Sequence, residues 1–167
     1  YQEDIYAGYR YFDSFGIDVS YPFGYGLSYT SFEYSAASVS EKKGVVTVTV
    51  DVANTGAAAG REVVEVYVKA PDAQDADKPE HELKGFAKTR ELQPGEKQLL
   101  SISFKTSDLA SFDEGTSAWV VEAGTYEIQI GASSRDIRDV VSLDVDAASV
   151  PANKVLALKS EINRLKR

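Results

Sequence analysis

The sequence predicts an all-β domain: an antiparallel β-sandwich of about seven strands, with an irregular N-terminal linker and a short C-terminal helix. Three observations predict it. Runs of β-branched and aromatic residues alternate with polar ones at period two, most cleanly in Val46, Val48, Val50 and Val52 against Thr47, Thr49 and Asp51. Turn residues separate the runs, among them Lys42-Lys43-Gly44, Asn54-Thr55-Gly56, Gln93-Pro94-Gly95-Glu96 and Ala123-Gly124. Between the runs there is no long stretch of helical period.

Taken in order, Phe32, Tyr34 and Ala36 open the first strand and Val46–Val52 form the second. From Glu62 to Ala70, Val64, Val66 and Val68 share one face while Val63, Glu65 and Tyr67 share the other. Both faces are partly apolar, so this strand is central or has its second face covered. A polar loop, Pro71 to Pro79, leads to Glu82–Leu92, a strand or pair of short strands interrupted at Gly85. Leu100, Ile102 and Phe104 form the next strand. A connection from Thr106 to Gly115 has room for one helical turn capped by Ser107. Trp119 and Val121, then Tyr126, Ile128 and Ile130, then Val141, Leu143 and Val145 complete the set. Pro151 stops the β pattern. Beyond it Val155, Leu158, Ile162 and Leu165 make one helical stripe, with Lys159, Arg164, Lys166 and Arg167 toward the C-terminal end. A stripe this short reads as docking on the sandwich or its parent protein rather than as a dimerisation helix.

The stretch from Ile5 to Tyr34 stands apart. Eight of the ten tyrosines lie in the first 34 residues, interspersed with Gly8, Gly16, Gly24 and Gly26. Free in water these rings would form a large apolar patch, so the stretch reads as a strap laid on protein, part of it outside this chain. A chain that opens on Tyr and contains no Met reads as a piece of a longer polypeptide.

Tyr1 to Asp13, Tyr-Gln-Glu-Asp-Ile-Tyr-Ala-Gly-Tyr-Arg-Tyr-Phe-Asp, and Tyr21 to Thr30, Tyr-Pro-Phe-Gly-Tyr-Gly-Leu-Ser-Tyr-Thr, resemble the tail of glycoside hydrolase family 3 enzymes. The series continues through Asn54-Thr55-Gly56, Ala59-Gly60, Glu62-Val63-Val64, Glu82-Leu83-Lys84-Gly85-Phe86, Leu92-Gln93-Pro94-Gly95-Glu96 and Gly131-Ala132-Ser133-Ser134. It covers residues 1 to 147. The resemblance implies three parts: residues 1–31, a linker leaving an α/β sandwich domain; residues 32–147, a fibronectin type III-like β-sandwich; and residues 148–167, a C-terminal extension. It implies a non-catalytic structural part that braces the catalytic domains of a β-glucosidase or β-xylosidase. That parent removes terminal non-reducing β-linked glucose or xylose with retention and needs no organic cofactor. The partners so implied are the catalytic domains and, for the parent, a β-linked oligosaccharide. Homo-oligomer formation stays open, and a periplasmic or secreted location is favoured. The competing expectations are an independent carbohydrate-binding module and a plain spacer, between which fold does not choose.

Composition narrows the classes further. The formal charge of −8 opposes binding to nucleic acid or to an anionic membrane surface. No apolar run has the length of a membrane span. The absence of cysteine excludes disulfides and thiolate metal sites.

Within this chain no residue is expected to be catalytic or to bind a cofactor or metal. Glycoside hydrolysis needs two carboxylates about 5 to 10 Å apart, but with 26 acidic residues spacing alone decides nothing. The family nucleophile, an Asp often set in Ser-Asp-Trp, is not carried over, because Ser107-Asp108 is followed by Leu109. His81, the only histidine, lies between Glu80 and Glu82, whose side chains point to the opposite strand face; it reads as exposed or capping. Asp72, Asp75, Asp77, Glu80 and Glu82 crowd one loop without a calcium-loop pattern and read as solvated. That loop, residues 71–82, has the length to reach over a neighbouring domain and shape its pocket. Trp119 reads as core beside Val121 rather than as a sugar-stacking platform, and the N-terminal tyrosines and Tyr67 as packing residues.

Overall fold

The computed structural model describes residues 3–71, 78–153 and 165–166. Seven strands build two facing antiparallel sheets. One holds β1 (Phe32–Lys42), β2 (Val45–Asn54) and β5 (Lys97–Lys105), in the order β1-β2-β5. The other holds β3 (Val63–Lys69), β4 (Glu82–Lys88), β8 (Gly124–Ser133) and β9 (Asp136–Val145), in the order β4-β3-β8-β9. A third, small sheet is formed by β6 (Ser111–Asp113), β7 (Ala118–Val121) and β10 (Ala148–Pro151), in the order β10-β7-β6. The fold class is the expected antiparallel sandwich, and the small sheet is an addition to it.

The valine alternation of β2 does what its period requires. Val46, Val48, Val50 and Val52 are fully buried, facing Val64, Val66, Ile128 and Ile130 from the opposite sheet. Leu100, Ile102 and Phe104 of β5 extend this layer in register with β2. Lys43 and Gly44, both at positive φ, close the β1–β2 hairpin, which pairs Lys42 with Val45. In β4 the strand is continuous through Gly85; the irregularity is a register shift between Val66 and Tyr67, where β3 pairs first with Gly85 and then with Leu83.

Three local expectations change. The N-terminal linker contains a helix, α1 (Tyr9–Ser14), which six residues could not sustain without the tertiary contacts described below. The turn after β5 is a 3-10 turn at Thr106–Leu109, and Ser107 is not its cap: Asp108 Oδ2 accepts from the Lys105 backbone N–H instead. Residues 148–151 pair with β7 as strand β10, which ends at Pro151. The helical stripe of Val155, Leu158 and Ile162 lies outside the described residues.

Ile128 is fully buried on β8, between β3 and β9. Ile128→Ala is expected to lower unfolding free energy by about 2 to 5 kcal/mol. Urea denaturation of the 167-residue chain checks this; a loss below about 1 kcal/mol would mean that the layer can collapse around the cavity.

Candidate interdomain interface

β3 is buried on both faces, as its sequence predicts. Val64, Val66 and Val68 enter the core, while Glu65 and Tyr67 lie under the N-terminal strap. Tyr9 of α1 stacks on Phe23 at 4.8 Å between ring centres and meets the Tyr67 ring edge-on at 5.8 Å. Its hydroxyl accepts the Leu83 backbone N–H at 2.7 Å. Ser14 Oγ accepts the Glu80 N–H, and Arg10 pairs with Glu82 at 2.9 Å. Tyr6 is buried against Phe15, ring edge to face.

Of the two expectations for His81, exposed or capping, the first is corrected: the residue is 5% exposed. Its ring stacks on Tyr67 at 4.7 Å, Nδ1 lies 2.7 Å from Gln129 Oε1, and Nε2 lies 3.4 Å from Asp13 Oδ2. Asp13 Oδ1 accepts from Arg135 Nε at 2.6 Å, and Arg135 Nη2 donates to the carbonyls of Phe12 and Ile17. Sequence neighbours could not reveal this: the group completing the histidine's environment, Asp13, is 68 residues away. No serine hydroxyl is bonded to His81 among its described partners, and the cluster ties strap to sheet.

Glu65 is buried and accepts the Tyr67 hydroxyl at 2.6 Å. Burial pushes its carboxyl above the usual glutamate value, and the Tyr67 hydrogen bond opposes this only in part. Gly24 crosses directly above it at φ +82, where a Cβ would collide with the carboxylate. The Phe23 carbonyl, one residue earlier, accepts the Ser134 N–H.

Past Gly24 the strap leaves the sheet. Tyr25, Leu27 and Tyr29 are exposed, Leu27 at 90% and Tyr29 at 100%, and Tyr21 just before the crossing is exposed too. The chain is then bolted to the sandwich at Asn54, whose buried side chain uses its full bonding capacity. Nδ2 donates to the carbonyls of Ala58 and Leu92, and Oδ1 accepts the Thr30 hydroxyl and the Gly56 N–H. Gly56 and Gly60 are required by close approach, since a Cβ at either would strike Thr30. A groove of about 650 Å³ runs between this exposed linker and the sandwich, walled by Tyr25, Leu27, Arg61, Lys88 and Arg138.

The remaining candidates separate. Trp119 is 51% exposed, so its reading as core is corrected: Val121 and Ala118 of the same strand take the buried positions. Trp119 pairs across the small sheet with Phe112, at 5.4 Å ring to ring, and with Val150. A separate groove beside Trp119 is lined by Ser107 and Asp108, and Asp108 stands on the exposed turn. Tyr67 is fully buried and offers no ring face to a sugar. Asp72, Asp75 and Asp77 lie outside the described residues. Glu80 pairs with Lys69, and Glu82 with Arg10 and Lys84. No cluster of metal-ligating side chains occurs among the described residues.

These features define a fibronectin type III-like sandwich with an aromatic entry strap, and residues 62–134 match the fibronectin type III-like domain family. A β-glucosidase of Ruminococcus albus is 45% identical over 156 residues, covering 90% of this chain and 16% of that enzyme. An exo-alpha-(1->6)-L-arabinopyranosidase of Bifidobacterium longum is 44% identical over 147 residues, covering 87% of this chain and 19% of that protein. The structure of β-glucosidase 3B from Thermotoga neapolitana aligns at a TM-score of 0.85 with 49% identity, over 91% of this chain and 21% of that one. The chain spans about a fifth or less of the relatives it matches.

A carboxyl whose folded pKa exceeds its unfolded value favours folding at low pH; that contribution is lost as pH rises from the unfolded pKa through the folded one. Glu62, also raised by burial, acts in the same direction as Glu65. Glu65→Gln keeps an acceptor for Tyr67 and removes the titration. It is expected to flatten the fall in the urea midpoint as pH climbs above 4.5. Parallel profiles for variant and wild type would show that Glu65 is not desolvated in solution.

Proposed function

We propose that this chain braces the catalytic domains of a β-glycosidase acting on terminal non-reducing β-linked glucose or xylose, and that it performs no chemistry itself. The observation that carries this reading is the division of the strap. Its first half is tied to the sheet by buried polar and ring contacts, while Leu27 and Tyr29 in its second half present bare apolar surface. Soluble proteins seldom leave such a patch uncovered. In this reading residues 1–31 are the linker from the α/β domain, residues 32–147 the sandwich, and residues 148–167 an extension joined to it through β10. Catalytic groups reside in the remainder of the polypeptide. The relatives' differing glycone names fit a part that supports the active site without choosing the sugar.

Leu27→Ser with Tyr29→Ser should leave the urea stability of the 167-residue chain within about 0.5 kcal/mol, because both side chains are exposed. In the complete enzyme the same pair should shorten the half-life of aryl β-glucosidase activity at elevated temperature several-fold. An unchanged half-life would remove the bracing role, and hydrolysis by the 167-residue chain alone would remove the assignment of catalysis elsewhere.

The exposed Trp119–Phe112 pair favours a second reading, a carbohydrate-binding module. An indole face beside the Ser107 hydroxyl and Asp108 carboxylate is suited to stacking a pyranose ring and accepting its hydroxyl protons. Retardation of the 167-residue chain in a laminarin or xylan gel, lost on Trp119→Ala, would support it. Unretarded migration in both gels would leave bracing alone.

A further inference from the structure

We propose that the groove between the linker and the sandwich receives an acidic segment of the parent polypeptide's catalytic part, held by Arg61 and Lys88. The inference rests on the bracing role and adds the chemistry of the partner surface.

Six charged side chains line this groove. Arg138 lies 2.8 Å from Asp136 and 3.8 Å from Glu62, packs over the Tyr34 ring, and donates to the Phe32 carbonyl. Arg135 is held by Asp13 and two backbone carbonyls. These four residues are therefore satisfied within the chain. Arg61 and Lys88 are both exposed, and their side chains have no hydrogen bond or ion pair among the described residues. The groove thus carries uncompensated positive charge in a chain whose formal charge is −8. A second copy of this chain could offer acidic surface too, but the groove's other wall is Tyr25 and Leu27, continuous with the rings assigned to the catalytic part. Carboxylates flanking an apolar contact match this pattern: the rings supply buried area, and the rim charges fix register. The groove, at about 650 Å³, accommodates a few side chains.

Chymotrypsin cleavage after Leu27 and Tyr29 in the complete enzyme reads whether the linker is covered. Wild-type enzyme should be cut far more slowly than the 167-residue chain. Arg61→Glu with Lys88→Glu should raise the enzyme's cleavage rate about tenfold at low salt, and 0.5 M NaCl should bring wild type toward the variant. The same double substitution should not change the thermal unfolding curve of the 167-residue chain, since neither side chain has a partner there to lose. A protected linker whose cleavage ignores both charge reversal and salt would overturn the acidic partner and leave the bracing role standing. A linker cut equally fast in enzyme and isolated chain would overturn both.

Discussion

A strand buried on both faces needs a cover on the side away from the core, and in this chain the cover is the strand's own N-terminal approach. Glu65 and Tyr67 of β3 carry polar atoms into that second layer, which becomes tolerable only because the strap supplies partners and excludes water. Tyr9 and His81 pack against the Tyr67 ring, Phe23 stacks on Tyr9, and Asp13 joins His81 to Arg135. Removing the strap would expose a buried glutamate and a ring surface together. The linker and the sandwich are therefore one structural unit, although their sequences look unlike.

This unit explains why a six-residue helix persists. Tyr9 and Ser14 spend their hydroxyls as acceptors for the backbone N–H groups of Leu83 and Glu80, at the start of β4. The Leu83 N–H belongs to β4, the edge strand of the four-stranded sheet, so the contact that holds Tyr9 also occupies a donor at that edge, and the Glu80 N–H is held just before it. Helix stability here comes from tertiary bonding and not from propensity.

What the sequence disclosed and what it concealed follow from the range of the interactions involved. The valines of β2 alternate over seven residues, so strand and buried face were legible from neighbours alone. The double-sided burial of β3 was legible too, because both alternating sets contain large apolar residues. Trp119 was misplaced because alternation puts it on the same face as Val121, yet in this short strand only Val121 reaches the core, while Trp119 stays over the small sheet beside Phe112 and Val150. His81 was misplaced because its partners, Asp13 and Gln129, come from 68 and 48 residues away. The strap's aromatic content signalled contact with protein, but it could not show that the contact divides at Gly24.

That division has a mechanical consequence. Upstream of Gly24 the chain is fixed to the outer sheet, and downstream Thr30 and Ser31 are fixed to the Asn54–Gly56 corner. Residues 25–29 thus span two anchored points on a rigid body, and their rings are displayed from a short bridge rather than a free tail. Surface presented this way loses less conformational entropy on being covered than the same rings on a disordered segment. In the proposed bracing role, the arrangement suits a permanent seat for a neighbouring domain better than a transient contact. It also accounts for Asn54 having all four side-chain bonding positions filled: any looseness at that corner would be passed directly to the bridge.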